Sequence, residues 1–201
     1  MAEPIVVGVL ALQGDFHAHR QMLESLGAEV REVRKPSELA GLAGLVIPGG
    51  ESTALLRLLD HQPTWWEALP ELVHRGAAVF GTCAGLILLA REVTGPTQRS
   101  LGLLDVTVAR NAYGRQVDSF ETQGRFKDGE PLEMVFIRAP RITRTGPGVT
   151  VVAEHEGEPV LVEEGHLLAA TFHPELTHDP AAHRRFLELA RASASVSVES
   201  R

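Results

Sequence analysis

The chain opens with apolar runs that alternate with amphipathic stretches. Residues 5–12 form one continuous apolar run, rich in Val and too short for a lone helix. That pattern predicts a strand buried on both faces. Asp15 then caps a helix to about Leu26, with Phe16, Leu23 and Leu26 on one face and Gly27 as its terminator. Residues 28–33 and 42–47 read as the second and third strands. The tight turn Pro48-Gly49-Gly50-Glu51-Ser52 follows, then an apolar helix over 53–59 that Ser52 caps. Another helix over 65–74 leads to a strand at 77–80, and a helix-forming apolar run leaves Cys83. Repeated strand–helix–strand units imply a parallel sheet with right-handed crossovers.

After Arg99 the period changes. Residues 106–109, 116–120, 133–137, 149–154, 159–162 and 167–171 are short strand candidates separated by Gly, Pro and charged turns. They predict antiparallel additions to the same sheet. Asp179-Pro180 then starts a helix presenting Ala182, Phe186, Leu189 and Ala190. Residues 1–192 read as a single α/β domain, and the Ser-rich stretch 193–201 reads as a flexible tail. The stretch 123–131 carries no assignable motif.

Composition narrows the functional classes. With 201 residues, 44% hydrophobic and 22% charged, the chain can bury a full core. A formal charge of −7 disfavours non-specific nucleic-acid binding, which needs a basic surface. No apolar stretch has the length of a membrane span, and the N-terminus lacks the basic region of a signal peptide. One cysteine cannot make an intrachain disulfide, so a cytoplasmic location is expected.

That cysteine, Cys83, lies in Phe80-Gly81-Thr82-Cys83-Ala84-Gly85-Leu86, where a β-leaning run meets a helical one. Small neighbours permit a sharp strand-to-helix turn, and a helix N-terminus favours thiolate. A buried cysteine acting as a small hydrophobe is the competing reading. Among nine histidines, His173 follows a predicted buried strand in Phe172-His173-Pro174-Glu175. Strand ends in an open α/β sheet form the ligand crevice, so His173 can meet Cys83 there. Extended backbone places Glu175 on the same side as His173, where it can orient the ring. The N–H of Ala84 and the Gly49-Gly50 turn are natural donors to an oxyanion. Arg110 and Arg138 are candidate carboxylate clamps, each competing with an ordinary surface ion pair. His17 and His19, two apart on a helix, point apart and make a poor metal site, and no Cys/His cluster has zinc spacing.

Taken together, these motifs resemble the class I (triad) glutamine amidotransferases, and within them the glutaminase subunits of pyridoxal 5′-phosphate synthase. The resemblance runs from Val9-Leu10-Ala11-Leu12-Gln13-Gly14 to His173-Pro174-Glu175-Leu176-Thr177. Between them it includes Pro48-Gly49-Gly50-Glu51-Ser52-Thr53, the Cys83 turn, the run from Arg110 to Glu121, and Phe136-Ile137-Arg138-Ala139-Pro140. It implies a three-layer, flavodoxin-like α/β fold with a mostly parallel, mixed central sheet flanked by helices. It implies Cys83 as nucleophile, His173 as acid and base, and Glu175 as orienter. Glutamine would be held by Gly50, Glu51, Ser52, Arg110, Ile137 and Arg138, with Gly50 and Ala84 at the oxyanion and Gln13 in the surroundings. No cofactor or metal is expected. The implied partner is a (β/α)8-barrel synthase subunit that receives ammonia within a hetero-oligomeric complex.

Overall fold

The computed structural model describes residues 5–110 and 119–199. Its first half contains β1 (Val6–Leu10), α1 (Phe16–Ser25), β2 (Glu29–Val33), β3 (Gly44–Ile47), α2 (Ser52–His61), α3 (Trp65–His74), β4 (Ala78–Thr82) and α4 (Ala84–Leu89). There follow β5 (Ala90–Thr94), β6 (Leu104–Ala109), β7 (Ser119–Phe126), β8 (Pro131–Ile137), β9 (Arg141–Thr145), β10 (Thr150–His155), β11 (Glu158–Glu164), β12 (Leu167–Ala170) and α5 (Ala181–Glu199). The main sheet has the order β2-β1-β3-β4-β12-β11-β10-β7-β8. Its first five strands are mutually parallel, and the remaining pairings are antiparallel.

Strict alternation along the central strands makes the sheet two-faced. Val7 and Val9 of β1, Phe80 of β4 and Leu168 of β12 pack with Leu23 of α1 and Phe186 of α5. Leu10, Val79 and Leu167 face the opposite way, towards Leu55 and Leu59 of α2, Trp65 and Leu72 of α3, and Leu86 of α4. Side chains with period two on the strands and a buried stripe on each helix give three layers, the expected architecture.

Four details depart from the sequence reading. The late strands do not all extend the main sheet: β5, β6 and β9 form a separate three-stranded sheet in which β5 and β6 are parallel. The chain enters β5 directly from α4, on the face of the main sheet covered by α2, α3 and α4, and Val93, Val106, Val108 and Ile142 join that side of the core. Neither β5 nor β9 is expected from the pattern, because each buries few positions: Ala90 and Val93 in the one, Ile142 in the other. The strand expected at 116–120 falls largely outside the described residues, and β7 instead runs through part of the unassigned 123–131 stretch to hairpin with β8. Ser52 is not the cap of α2; Glu51 is, its two carboxylate oxygens accepting the N–H groups of Thr53 and Ala54 at 2.9 and 2.6 Å. Finally, α5 continues to Glu199, through most of the stretch read as a tail.

Close backbone contact seats α4 under the sheet. A Cβ on Gly85 would lie 2.1 Å from the carbonyl oxygen of Ile47, and one on Gly81 would lie 2.7 Å from the backbone of Gly85. Replacing Gly85 with alanine should therefore lower unfolding stability, on the order of 1–3 kcal/mol for an overpacked buried site. Urea denaturation measures this, and an unchanged midpoint would contradict the packing described.

Candidate active site

The parallel pairing of β4 with β12 runs from Val79 opposite Leu167 to Thr82 opposite Ala170. Both strands therefore end at the same level, and the residues just beyond them meet. Cys83 is held there by its own N–H, which donates to the Ala170 carbonyl at 2.8 Å. Its backbone has φ 48° and ψ −100°, outside the regions ordinary residues favour. Such strain is on the order of 1–3 kcal/mol and persists only where surrounding structure enforces it. Among the described residues, only Cys83, Arg138 and Glu156 are non-glycine with positive φ, and the first two line one cleft.

That cleft has a volume of about 250 Å³ and is bounded by Gly50, Glu51, Ser52, Cys83, Ile87, Arg110, Ile137, Arg138 and His173. Every position proposed from the sequence to hold substrate is on this wall. Ile87 is an addition; it lies one turn along α4 from Cys83, and its helical spacing was the available signal. Gln13 is behind the wall, donating from Nε2 to the Gly49 carbonyl at 3.2 Å and lying against Gly50. Glu175 lies behind His173, and Ala84 beneath Cys83, 1% exposed. As the first residue of α4, Ala84 presents an N–H with no carbonyl partner inside the helix.

The loop after β3 passes very close to the thiol and the imidazole. A Cβ on Gly49 would lie 2.4 Å from Cε1 of His173 and 3.2 Å from Cβ of Cys83, so only glycine fits. The Gly49 N–H donates to the Thr82 hydroxyl oxygen at 2.9 Å, tying this loop to the end of β4. Gly50, with φ 133°, carries the backbone into the cleft beside Cys83.

His173 is fixed at both ends. Its backbone N–H donates to the Val135 carbonyl of β8 at 2.8 Å, which brings Ile137 and Arg138 alongside. Its Nδ1 lies 2.8 Å from Oε1 of the buried Glu175, so Nδ1 carries the hydrogen and Nε2 remains for the cleft. Burial works against a charged ring here. The interactions with Cys83 and Glu175 outweigh it, and the His173 pKa is pushed up to about 10. An imidazolium at this position places a positive charge beside the Cys83 sulfur.

Elsewhere on the wall, Arg110 donates to the Thr53 hydroxyl at 3.1 Å. Ser52 donates to the side-chain oxygen of Gln98 at 3.2 Å. Hydrogen bonds to the Thr53 and Ala54 N–H groups hold the Glu51 carboxyl below its usual range, despite some desolvation, so Glu51 presents a negative charge to the cleft. The polypeptide motif continuing from Arg110 through Asn111 and Tyr113 to Asp118 lies outside the described residues. Among the described residues, no three His, Cys, Asp or Glu side chains are grouped to hold a metal ion, and no helix is long and apolar enough to cross a membrane.

Two buried neighbours of the site escape the sequence reading. His19 of α1 lies directly behind Glu175 and His183 of α5 lies behind His19, both 0% exposed. On sequence alone His19 is weighed only with His17, as a metal pair. The signal was its place on the buried stripe with Phe16, Leu23 and Leu26, where a titratable group is unusual.

Comparison with known proteins agrees with this architecture. The sequence signature of the SNO glutamine amidotransferase family matches residues 9–191. The pyridoxal 5′-phosphate synthase subunit PdxT of Koribacter versatilis is 54% identical over 186 residues, covering 92% of this chain and 95% of that protein. The PdxT subunit of Thermus thermophilus is 54% identical over 187 residues, covering 92% and 97%. A crystal structure of a glutamine amidotransferase superposes with a TM-score of 0.86 at 50% identity, covering 92% of this chain and 98% of the other. A more distant structure, described as a GMP synthase subunit from Thermoplasma acidophilum, shares the fold at a TM-score of 0.69 and 16% identity, covering 98% of each chain.

Burial has a consequence for acid stability. Desolvation, then the charges of His183 and His173, hold the His19 pKa well below its ordinary value. Desolvation alone pushes that of His183 down to about 3. The unfolded chain binds protons at both near pH 6.5, whereas the folded protein refuses them. Stability from these groups is thus complete above pH 6.5 and is lost as pH falls towards the folded values, by up to about 1.4 kcal/mol per pH unit for each ring. Urea unfolding at pH 7 and pH 5 should show this loss, and His183→Phe should reduce the slope. A flat profile over that interval would contradict the buried neutral pair.

Proposed function

The chain belongs to the SNO glutamine amidotransferase family, and from that premise we propose that it hydrolyses the side-chain amide of L-glutamine as the glutaminase subunit of a pyridoxal 5′-phosphate synthase. The observation that carries the reading is the 2.8 Å contact between His173 and buried Glu175 on the wall that also holds strained Cys83. Two PdxT relatives at 54% identity support the pathway assignment.

The proposed chemistry uses groups in the cleft. The Cys83 thiolate attacks the amide carbon, and the carbonyl oxygen becomes an oxyanion. The N–H groups of Ala84 and Gly50 stabilise that charge, which is strongest in a site that excludes water. His173 delivers its Nε2 proton to the leaving nitrogen as the C–N bond breaks, so ammonia departs and a γ-glutamyl thioester remains on Cys83. The neutral imidazole then removes a proton from water as it attacks the thioester, releasing glutamate and restoring the ion pair. Glu175 keeps Nδ1 protonated and offsets the imidazolium charge throughout.

Substrate selection follows from the charges on the wall. Arg110 and Arg138 suit the α-carboxylate of glutamine, and Glu51 suits its α-ammonium. Ile87 and Ile137 flank the aliphatic stem. A cleft of about 250 Å³ suits a free amino acid, since sites for drug-sized ligands begin near roughly 300 Å³. Ammonia would pass to a (β/α)8-barrel synthase subunit in a hetero-oligomeric complex in the cytoplasm.

Replacing Cys83 with alanine should abolish ammonia release from glutamine while leaving the fold intact; persistent release would remove Cys83 as the nucleophile. Replacing Arg110 with alanine should raise the glutamine KM by the equivalent of roughly 1.5–3 kcal/mol, the worth of a hydrogen bond to a charged group. Steady-state kinetics would reveal it, and an unchanged KM would exclude the clamp.

A further inference from the structure

Behind the cleft, a line of buried polar groups continues into the protein. Glu175 uses Oε1 for His173, while its Oε2 lies 3.3 Å from Nε2 of His19. That approach has the distance of an ion pair without the alignment of a hydrogen bond, and Oε2 has no hydrogen-bond partner among the described residues. The other nitrogen of His19, Nδ1, lies 2.8 Å from Nε2 of His183. His183 Nδ1 has no partner among the described residues. The groups facing His19 are therefore Glu175 and His173 from the turn after β12, His183 from α5, and the Thr82 hydroxyl of β4 at 3.4 Å; Cys83 lies beyond His173.

These contacts favour one placement of the hydrogens. An ionised carboxylate oxygen can only accept, so its approach to His19 is attractive only when the hydrogen of that ring sits on Nε2. A neutral His19 then has a bare Nδ1 that must accept, which places the His183 hydrogen on Nε2. The nitrogen left without a hydrogen is Nδ1 of His183, the one ring atom in the line with no partner. Burial holds both rings neutral. This is the arrangement in which no bare nitrogen faces the carboxylate.

We propose that His19 is a positioning residue for the glutamine hydrolysis proposed above, on which this inference rests: its Nε2 edge faces the second oxygen of the buried Glu175 at 3.3 Å and offsets its charge, and His183 holds His19. Without that ring, an apolar side chain would face the second oxygen of the buried carboxylate, and Glu175 would be held less firmly against His173. A displaced Glu175 no longer fixes the His173 ring or offsets its charge, so the proposed pairing with Cys83 weakens. His19 also approaches Thr82, whose hydroxyl oxygen accepts the Gly49 N–H, so it borders both the carboxylate and the anchor of the glycine loop.

The test combines proton placement with kinetics. In 15N-labelled wild-type protein, NMR should show His19 and His183 as neutral Nε2–H tautomers between about pH 6 and 8; an Nδ1–H tautomer at His19 would overturn the proposal. His19→Leu, checked as folded by circular dichroism, should lower kcat about 10-fold or more with little change in KM, since orienting groups act on the chemical step. The acidic limb of its rate profile should move to higher pH. His19→Gln, which retains a neutral N–H donor, should recover most of both effects. An unmoved acidic limb in His19→Leu, or equal defects in the leucine and glutamine variants, would overturn the positioning role. Rates are measured with the synthase subunit present. Absence of ammonia release by the wild type would defeat the glutaminase reading itself, while the NMR result still judges the hydrogen-bond line.

Discussion

Adjacent parallel pairing of β4 and β12 is the constraint on which the site depends. These strands are separated by most of the second half of the sequence, yet their registers end together at Thr82 and Ala170. The Cys83 N–H bond to the Ala170 carbonyl continues the ladder one step past β4 and holds a residue with unfavourable dihedrals. Every other component is placed relative to this junction. The β3 loop can approach because Gly49 has no side chain, and β8 approaches because His173 bonds to Val135. The parallel half of the sheet supplies the nucleophile and base candidates, while the antiparallel half supplies the wall at Ile137 and Arg138.

The second constraint is electrostatic. A fully buried carboxylate is costly unless both oxygens are satisfied, and Glu175 is 6% exposed. One oxygen faces a ring that favours its charged form, and the other faces a ring that burial keeps neutral. The environments of His173 and His19 are therefore opposite, although both touch the same carboxylate. The first has the sulfur of Cys83 and the open cleft beside it. The second has His183 and the aromatic ring of Phe80. That difference suits the first ring to the proposed proton transfer and the second to the proposed support.

Much of this was legible from sequence because the central strands are apolar on both faces and the turns are rich in small residues. The runs at 5–12, 42–47 and 77–80 read as buried strands without any knowledge of their neighbours. Small residues around Cys83 and the His-Pro-Glu step after a buried strand pointed to the same end of one sheet. The edge elements were less visible. In β9, Ile142 is the one buried position, and in β7 only Phe126 is buried, so neither has a strong alternating signal. Tertiary pairing, and not local pattern, makes them strands. His19 was overlooked for a related reason: a polar residue on an apolar helical stripe declares its burial, but its partners on α5 and beyond β12 are visible only in three dimensions. Glu51 was expected to hold substrate and lines the cleft, while its capping of α2 depended on a backbone direction that the sequence does not specify.

The central claim is that a thiolate at the β4–α4 junction carries the acyl group of glutamine. Rapid acid quench of the protein turning over 13C-labelled glutamine with its synthase subunit, followed by peptide mass spectrometry, tests this directly. The account predicts a labelled γ-glutamyl group on the peptide containing Cys83, removable by hydroxylamine as a thioester should be. Sustained ammonia release with the label absent from Cys83, or attached to another residue, would contradict it.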